Sequence, residues 1–332
     1  YQNTRNSICV MLPGEFNLIN TYFSSPSNRQ DVLLGIGDDC AVVSVPDNKQ
    51  LAITTDTLVD GVHFPSDTSA ADIACKAIAV ILSDLAAMGA EPAWLTLALS
   101  LPQVDEDWLR SFSDSFRQMA EKYNVQLIGG DTTQGPLSIT VQAMGLVDAG
   151  SLMRRDTARP GDAIYVSGTL GDAAAGLKIA QQGLAVDESR AWLLDRLNCP
   201  EPRVALGIKV AEYCSCAIDI SDGLAADLGH ILEASHCGAT VNIDRVPLSH
   251  QLVEYSINRN EVDWEMVLSG GDDYELCLVV APENENRLMN IASDVSLPLT
   301  RVGVIEDHNS LNIVDQTGAK YLFDHSGYEH FT

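Results

Sequence analysis

The segment "ADIACKAIAVILSDLAAMG" (71–89) places apolar residues at 74, 77, 78, 81, 82, 85 and 88. Recurrence at three and four residues predicts a helix with one apolar stripe. Gly89 is its stop signal. Strand-like runs flank it, "LAITTDTLV" (51–59) before and "AWLTLALSL" (93–101) after. A second helix is predicted over 105–123, with three acids in its first turn, and further strands over 125–130 and 137–147. Such a chain must bury helix faces against sheets, so the expected class is α/β with mixed α+β character.

"DAGSLMRRDTARPGD" (148–162) breaks this pattern with Gly, Pro and clustered charge. A domain boundary is expected there, giving an N-terminal domain 1–150 and a C-terminal domain 151–332. The second half reads as strand 163–168, a glycine-rich turn and helix, strand 216–221, helix 222–235, and strands 239–247 and 274–282. Residues 1–12 lack an initiator Met and an apolar h-region. They read as an extension outside the fold, with no secretory signal expected. No run approaches the ~20 apolar residues of a membrane span. The eight cysteines form no CxxC pair. They are expected to be reduced core thiols of a cytoplasmic protein, and no zinc site is expected.

Aspartates recur where apolar runs give way to glycine or small hydroxyl residues. Asp38 and Asp39 follow the turn "GIG"; Asp56 ends "LAITTD"; Asp131 ends "VQLIGGD". Asp219 and Asp222 flank the end of "CAIDISD", and Asp272 and Asp273 follow a double glycine. Asp84 lies on the 71–89 helix at the edge of its apolar stripe, about 80° from the centre at 100° per residue. Lys76 falls on the polar side of that helix. Each Asp also has a structural reading, as turn chemistry or as a helix cap; Asp222 is placed to cap the helix after it. With 20 Lys+Arg against 46 Asp+Glu, the net charge is −26. A general positive field for nucleic acid or an anionic membrane is excluded. A phosphorylated ligand would meet the acids through divalent cations, and Mg²⁺ is the natural choice. No Walker loop, dinucleotide fingerprint or protein-kinase motif set is present.

The stretches "GEFNLI", "GIGDDCAVV", "TTDTLVDGVHF", "KAIAVILSDLAAMGAEPAWLTLALSLP", "IGGDTTQGPLSITV", "RPGDAIYVSGTLGDAAAGL", "AIDISDGLAADLGHI", "LSGGDDYELC" and "GYEHF" run in order from 14 to 331. Together they resemble the thiamine-monophosphate kinase family, a relative of aminoimidazole ribonucleotide synthetase. The resemblance implies a two-domain aminoimidazole ribonucleotide synthetase-like fold. Its N-terminal domains pair into a dimeric β-barrel, and its C-terminal domain is α/β. It implies γ-phosphoryl transfer from ATP to thiamine phosphate, the final step of thiamine diphosphate synthesis. Several Mg²⁺ ions, ATP as co-substrate and a homodimer are implied as well. By the same resemblance Asp39, Thr55, Asp56, Asp84, Asp131, Asp219 and Asp222 are metal ligands. Gly130, Asp131, Arg155 and Ser221 meet the nucleotide, and His63, Asp272 and Tyr328 form the thiamine-phosphate pocket. No general base is expected, because the nucleophile is an already ionised phosphate oxygen. The family usually has Glu at the position of Asp272 and Trp at that of His325. A sister enzyme with another small substrate, and a non-catalytic nucleotide binder, remain the competing readings. ADP production that depends on thiamine phosphate separates them.

Overall fold

The computed structural model describes residues 14–24, 29–257 and 262–321. In the first half the strands are β1 (Val32–Leu34), β2 (Val42–Val43), β3 (Lys49–Val59), β4 (Glu91–Leu101), β5 (Gln126–Gln134) and β6 (Ser138–Asp148). Its α-helices are α1 (Glu15–Leu18), α2 (Ala70–Ala87) and α3 (Glu106–Lys122). In the second half the strands are β7 (Ala163–Ser167), β8 (Cys216–Ile220), β9 (Gly238–Asn242), β10 (Glu275–Val280), β11 (Leu299–Glu306) and β12 (Leu311–Val314). Its helices are α4 (Asp172–Gln182), α5 (Glu188–Asn198), α6 (Val204–Val210), α7 (Leu224–Ser235), α8 (His250–Ile257), α9 (Trp264–Ser269) and α10 (Glu285–Asp294).

Two sheets organise the chain. One has the order β3-β6-β4-β5 and the other β12-β9-β11-β7-β10-β8, with β1-β2 as a small ribbon. In the first, β4 and β5 are parallel, joined by the α3 crossover, and the other pairs are antiparallel. Helix α2 lies between the two sheets. Ser69 caps it by accepting the Asp72 N–H at 3.1 Å. One side packs on Leu58, Leu97 and Val141 of the first sheet, and the other on α6 and β8. Its burial is therefore nearly all-round rather than one stripe: Lys76 is 2 % exposed. The expectation that Lys76 lies on a polar side of the helix is corrected by this second partner layer, which buries it. The sheet's opposite face carries Leu51, Ile53, Thr55 and Thr57 from β3, all exposed, and Ile53 reaches 57 %.

Two further expectations change. Asp56 and Asp131 lie inside β3 and β5 rather than at strand ends: β3 runs on through Thr57, Leu58 and Val59, and β5 through Thr132, Thr133 and Gln134. Cys75 and Cys199 form a disulfide with a Cα–Cα distance of 5.2 Å, tying α2 to the residue after α5. These two cysteines are thus not reduced thiols. Cys40, Cys214, Cys216, Cys237 and Cys277 are free. Among the described residues no helix is long and apolar enough to cross a membrane.

Candidate active site

A cleft of about 850 Å³ opens along the seam between the two sheets. It is lined by five carboxylates, Asp56, Asp84, Asp219, Asp222 and Asp272, with His63 and Ser221. Four separate segments deliver them. Asp56 comes from the inward face of β3, Asp84 from the last turn and a half of α2, and Asp219 from β8. Ser221, Asp222 and Asp272 come from loops at the ends of β8 and before β10. His63 follows β3, and its Nδ1 accepts the Val59 N–H at 3.0 Å, which leaves Nε2 to carry the proton.

Burial without a counter-charge dominates the electrostatics. Desolvation, then the charge of Asp84, pushes Asp56 up to about 6. Desolvation and again the charge of Asp84 push Asp219 up to about 8. Asp84 is itself raised by burial, against a hydrogen bond from Thr54 and the charge of Arg155. None of these three carboxylates forms an ion pair within 4 Å among the described residues. Arg155 is exposed, and its charge reaches both Asp84 and Asp219.

The loop "SDG" (221–223) is shaped from below. Asp227, 2 % exposed in the first turn of α7, accepts the N–H groups of Ser221, Asp222 and Gly223 at 2.9, 3.0 and 3.1 Å. The helix cap is Gly223, so Asp222 does not take the capping position that its sequence offered. The motif "GGDDYE" divides its acids. Asp272 faces the cleft, whereas Asp273 turns inward to accept the Gly171 N–H at 2.8 Å. Glu275 is fully buried and receives Ser167 at 2.6 Å and Arg196 at 2.9 Å, together with Arg203. Asp272 binds Lys76 Nζ at 2.8 Å through Oδ2 and accepts the Tyr274 hydroxyl at 3.1 Å through Oδ1.

Other expected site residues stand apart from this cleft. Asp39 is exposed in the loop after β1. Thr55 is on the outer sheet face, bonded by Gln142 at 3.2 Å. Across the sheet, Asp56 is level with Val141, Leu97 and Gly130, whereas Asp131 is level with Ala98, Thr140 and Thr57. Asp131 therefore shares the outer face with Thr55. It is three inter-strand spacings from Asp56, roughly 14 Å. Gly130 has φ +153°, and a Cβ there would lie 1.8 Å from the Leu97 carbonyl oxygen, so only glycine fits. Tyr328 and His325 lie outside the described residues. The sequence reasoning missed Lys76, Asp227 and Tyr274. Asp227 had one usable signal, an acid in the first turn after a Gly-containing loop.

The donor set suits a hard divalent cation: one buried and four half-buried carboxylates, acceptors only, short of positive charge. Among the described residues no three His, Cys, Asp or Glu side chains are gathered closely enough to hold a metal by themselves. A cation here would share its coordination with ligand oxygens, as Mg²⁺ does with phosphates.

Residues 37–147 match the family described as AIR synthase related protein, N-terminal domain, and residues 159–316 the corresponding C-terminal domain. The chain is 49 % identical over 325 residues to the thiamine-monophosphate kinase of Salmonella typhimurium, covering 97 % of this chain and 99 % of that one. The crystal structure of thiamine-monophosphate kinase from Stenotrophomonas maltophilia K279a superposes with a TM-score of 0.82 at 49 % identity, covering 86 % of this chain and 92 % of that one. AaThiL complexed with AMPPCP and TMP superposes with a TM-score of 0.78 at 29 % identity, covering 87 % and 89 %. The chain belongs to the thiamine-monophosphate kinase family of the AIR synthase related proteins.

Proposed function

We propose that this protein is an ATP-dependent kinase that transfers the γ-phosphoryl group of ATP to thiamine phosphate, releasing thiamine diphosphate and ADP. One observation carries the reading. Asp56, Asp84, Asp219, Asp222, Ser221, His63 and Asp272 converge on a single cleft in a chain that aligns with this kinase family over nearly its whole length.

The acceptor phosphate has its second pKa near 6, so its oxygen is already anionic near neutrality and no side chain has to remove a proton. The obstacle is bringing two polyanions into line. Positioning and charge neutralisation are what the site must supply. Asp56, Asp84, Asp219 and Asp222 would hold Mg²⁺, with Asp39, Thr55 and Asp131 assigned to the same task by resemblance. Bound there, Mg²⁺ would neutralise phosphate oxygens and stabilise the transferred charge. Arg155, exposed and near enough for its charge to act on Asp84 and Asp219, adds positive charge on the nucleotide side. The Ser221 loop, fixed by Asp227, and Gly130 belong to the nucleotide side. His63, Asp272 and Tyr328 belong to the thiamine-phosphate side, where an acid and an aromatic ring suit a cationic thiazolium.

We divide the chain into domains 1–150 and 151–332, each built on one of the two larger sheets. The exposed β3 side of the outer face of β3-β6-β4-β5 supports a homodimer in which two such sheets close a barrel. On this reading Thr55 and Asp131, which face away from the cleft of their own chain, would serve Mg²⁺ only at a site that the second copy completes. ATP as co-substrate favours a cytoplasmic enzyme. The test is ADP release from the purified protein with ATP and Mg²⁺. Release that requires thiamine phosphate, and that aminoimidazole-type ribonucleotides do not elicit, is the expected result. ADP release indifferent to thiamine phosphate, or none at all, overturns the reading.

A further inference from the structure

Lys76 is the buried cation at this seam that the reaction scheme leaves without a task. It sits on α2, its side chain 3 % exposed, and its ammonium reaches across to Asp272 of the second half at 2.8 Å. The partner carboxylate is 30 % exposed and lines the cleft. Asp272 is held from three sides. Lys76 engages Oδ2, the Tyr274 hydroxyl engages Oδ1, and the Asp272 N–H donates to the Ser221 carbonyl at 2.7 Å.

The backbone explains why such bracing is needed. Gly271, Asp272 and Tyr274 all have left-handed φ, of +68°, +64° and +50°. Non-glycine residues avoid that region unless the surroundings over-determine it. A Cβ at position 271 would lie 2.5 Å from the Ser221 carbonyl oxygen, so the turn is also pressed against the "SDG" loop. The turn brings Asp272 to α2, where the Lys76 ammonium meets its Oδ2. Removing the Lys76 ammonium leaves the Asp272 carboxylate without its counter-charge and without one of its three restraints.

We infer that Lys76 is a positioning residue for thiamine-phosphate recognition: it fixes the Asp272 carboxylate in the cleft wall and cancels its charge towards the protein side. This rests on the assignment of Asp272 to the thiamine-phosphate wall. Lys76 does not line the cleft, so it acts through Asp272 and not on the substrate.

The test is a double-mutant cycle of K76M and D272N, read as separate KM values for thiamine phosphate and ATP and as kcat. K76M is expected to raise the KM for thiamine phosphate on the order of tenfold. The KM for ATP and kcat should change by less than about twofold. In the D272N background K76M should add nothing further. K76R, which keeps the charge, should restore most of the affinity; should K76M fail to fold, K76R takes its place, with a smaller rise that again vanishes in D272N. A normal thiamine-phosphate KM in K76M, beside a raised one in D272N, overturns the positioning role alone. So does an effect of K76M that multiplies with that of D272N, or one that falls equally on both substrates. A D272N enzyme with unchanged KM overturns the wall assignment and the positioning role with it. Absence of thiamine-phosphate turnover in the unmutated protein is a separate result, which overturns the proposed function itself.

Discussion

Asp84 stands where three influences meet: burial at the helix end, the Thr54 hydroxyl, and the charges of Asp56, Asp219 and Arg155. Its carboxylate is tolerated without a paired cation, and that is a reason to expect a function. Asp84→Asn keeps the shape and the Thr54 contact but removes the charge. Asp222→Asn does the same on the loop held by Asp227. Both are expected to lower Mg²⁺-dependent turnover by on the order of a hundredfold or more while unfolding at close to the normal temperature. Full activity in both variants would remove the metal assignment. The raised acids also set a pH dependence. Burial and the Asp84 charge push Asp56 up to about 6 and Asp219 up to about 8 in the folded chain, against roughly 3.9 unfolded. Between those values the folded state binds more protons than the unfolded one, so stability falls as pH rises. Without divalent cation, Tm is expected to decline from about pH 5 to about pH 8. Asp219→Asn should flatten that slope, and millimolar Mg²⁺ should restore Tm at the upper end. A slope unchanged in Asp219→Asn contradicts the electrostatic account.

Among the elements, α2 carries most of the architecture. The period of its apolar residues marked it as a helix, and the observed span Ala70–Ala87 differs from the expected one by only one or two residues. What periodicity does not contain is the number of partner layers. A stripe implies one buried face, but α2 has a sheet on one side and α6 with β8 on the other. Lys76 and Cys75 were therefore misread: their partners, Asp272 and Cys199, lie 196 and 124 residues away. The site was legible to the same extent. Asp56, Asp219, Asp222 and Asp272 stand out in the sequence beside glycine or small hydroxyl residues, Asp84 by its place at the edge of an apolar stripe, His63 by following an acidic strand end, and Ser221 through the family resemblance alone. Asp227 and Tyr274 act through contacts made only after folding. The Cys75–Cys199 disulfide joins α2 to the end of α5 and can be checked directly. Protein purified without reductant and then unfolded should show two fewer titratable thiols than reduced protein. Reduction should cost roughly 2–4 kcal/mol of stability. Equal thiol counts would mean that the two cysteines are simply neighbours.

At the scale of the whole molecule, the outer face of the first sheet is only partly covered among the described residues: the β1-β2 ribbon packs on Trp94, Ile128 and Leu146 but leaves β3 exposed. Leu51 at 39 % and Ile53 at 57 % exposure stand beside Thr55 and Thr57 on an edge strand. Exposed edges and apolar patches of this kind ordinarily meet a partner. A dimer through this face should dissociate in Ile53→Lys, seen by light scattering as a halving of mass, with Tm lowered. A variant that stays dimeric places the contact elsewhere. The reaction assigned to the cleft underlies the expectations for its residues. The most direct measurement incubates the protein with ATP, Mg²⁺ and thiamine phosphate, oxidises the mixture to thiochromes and separates them. Thiamine diphosphate is expected only when all three are present, and not with Asp219→Asn. Its absence from the complete mixture, with Mg–ATP bound, would contradict the assignment of thiamine phosphate as acceptor.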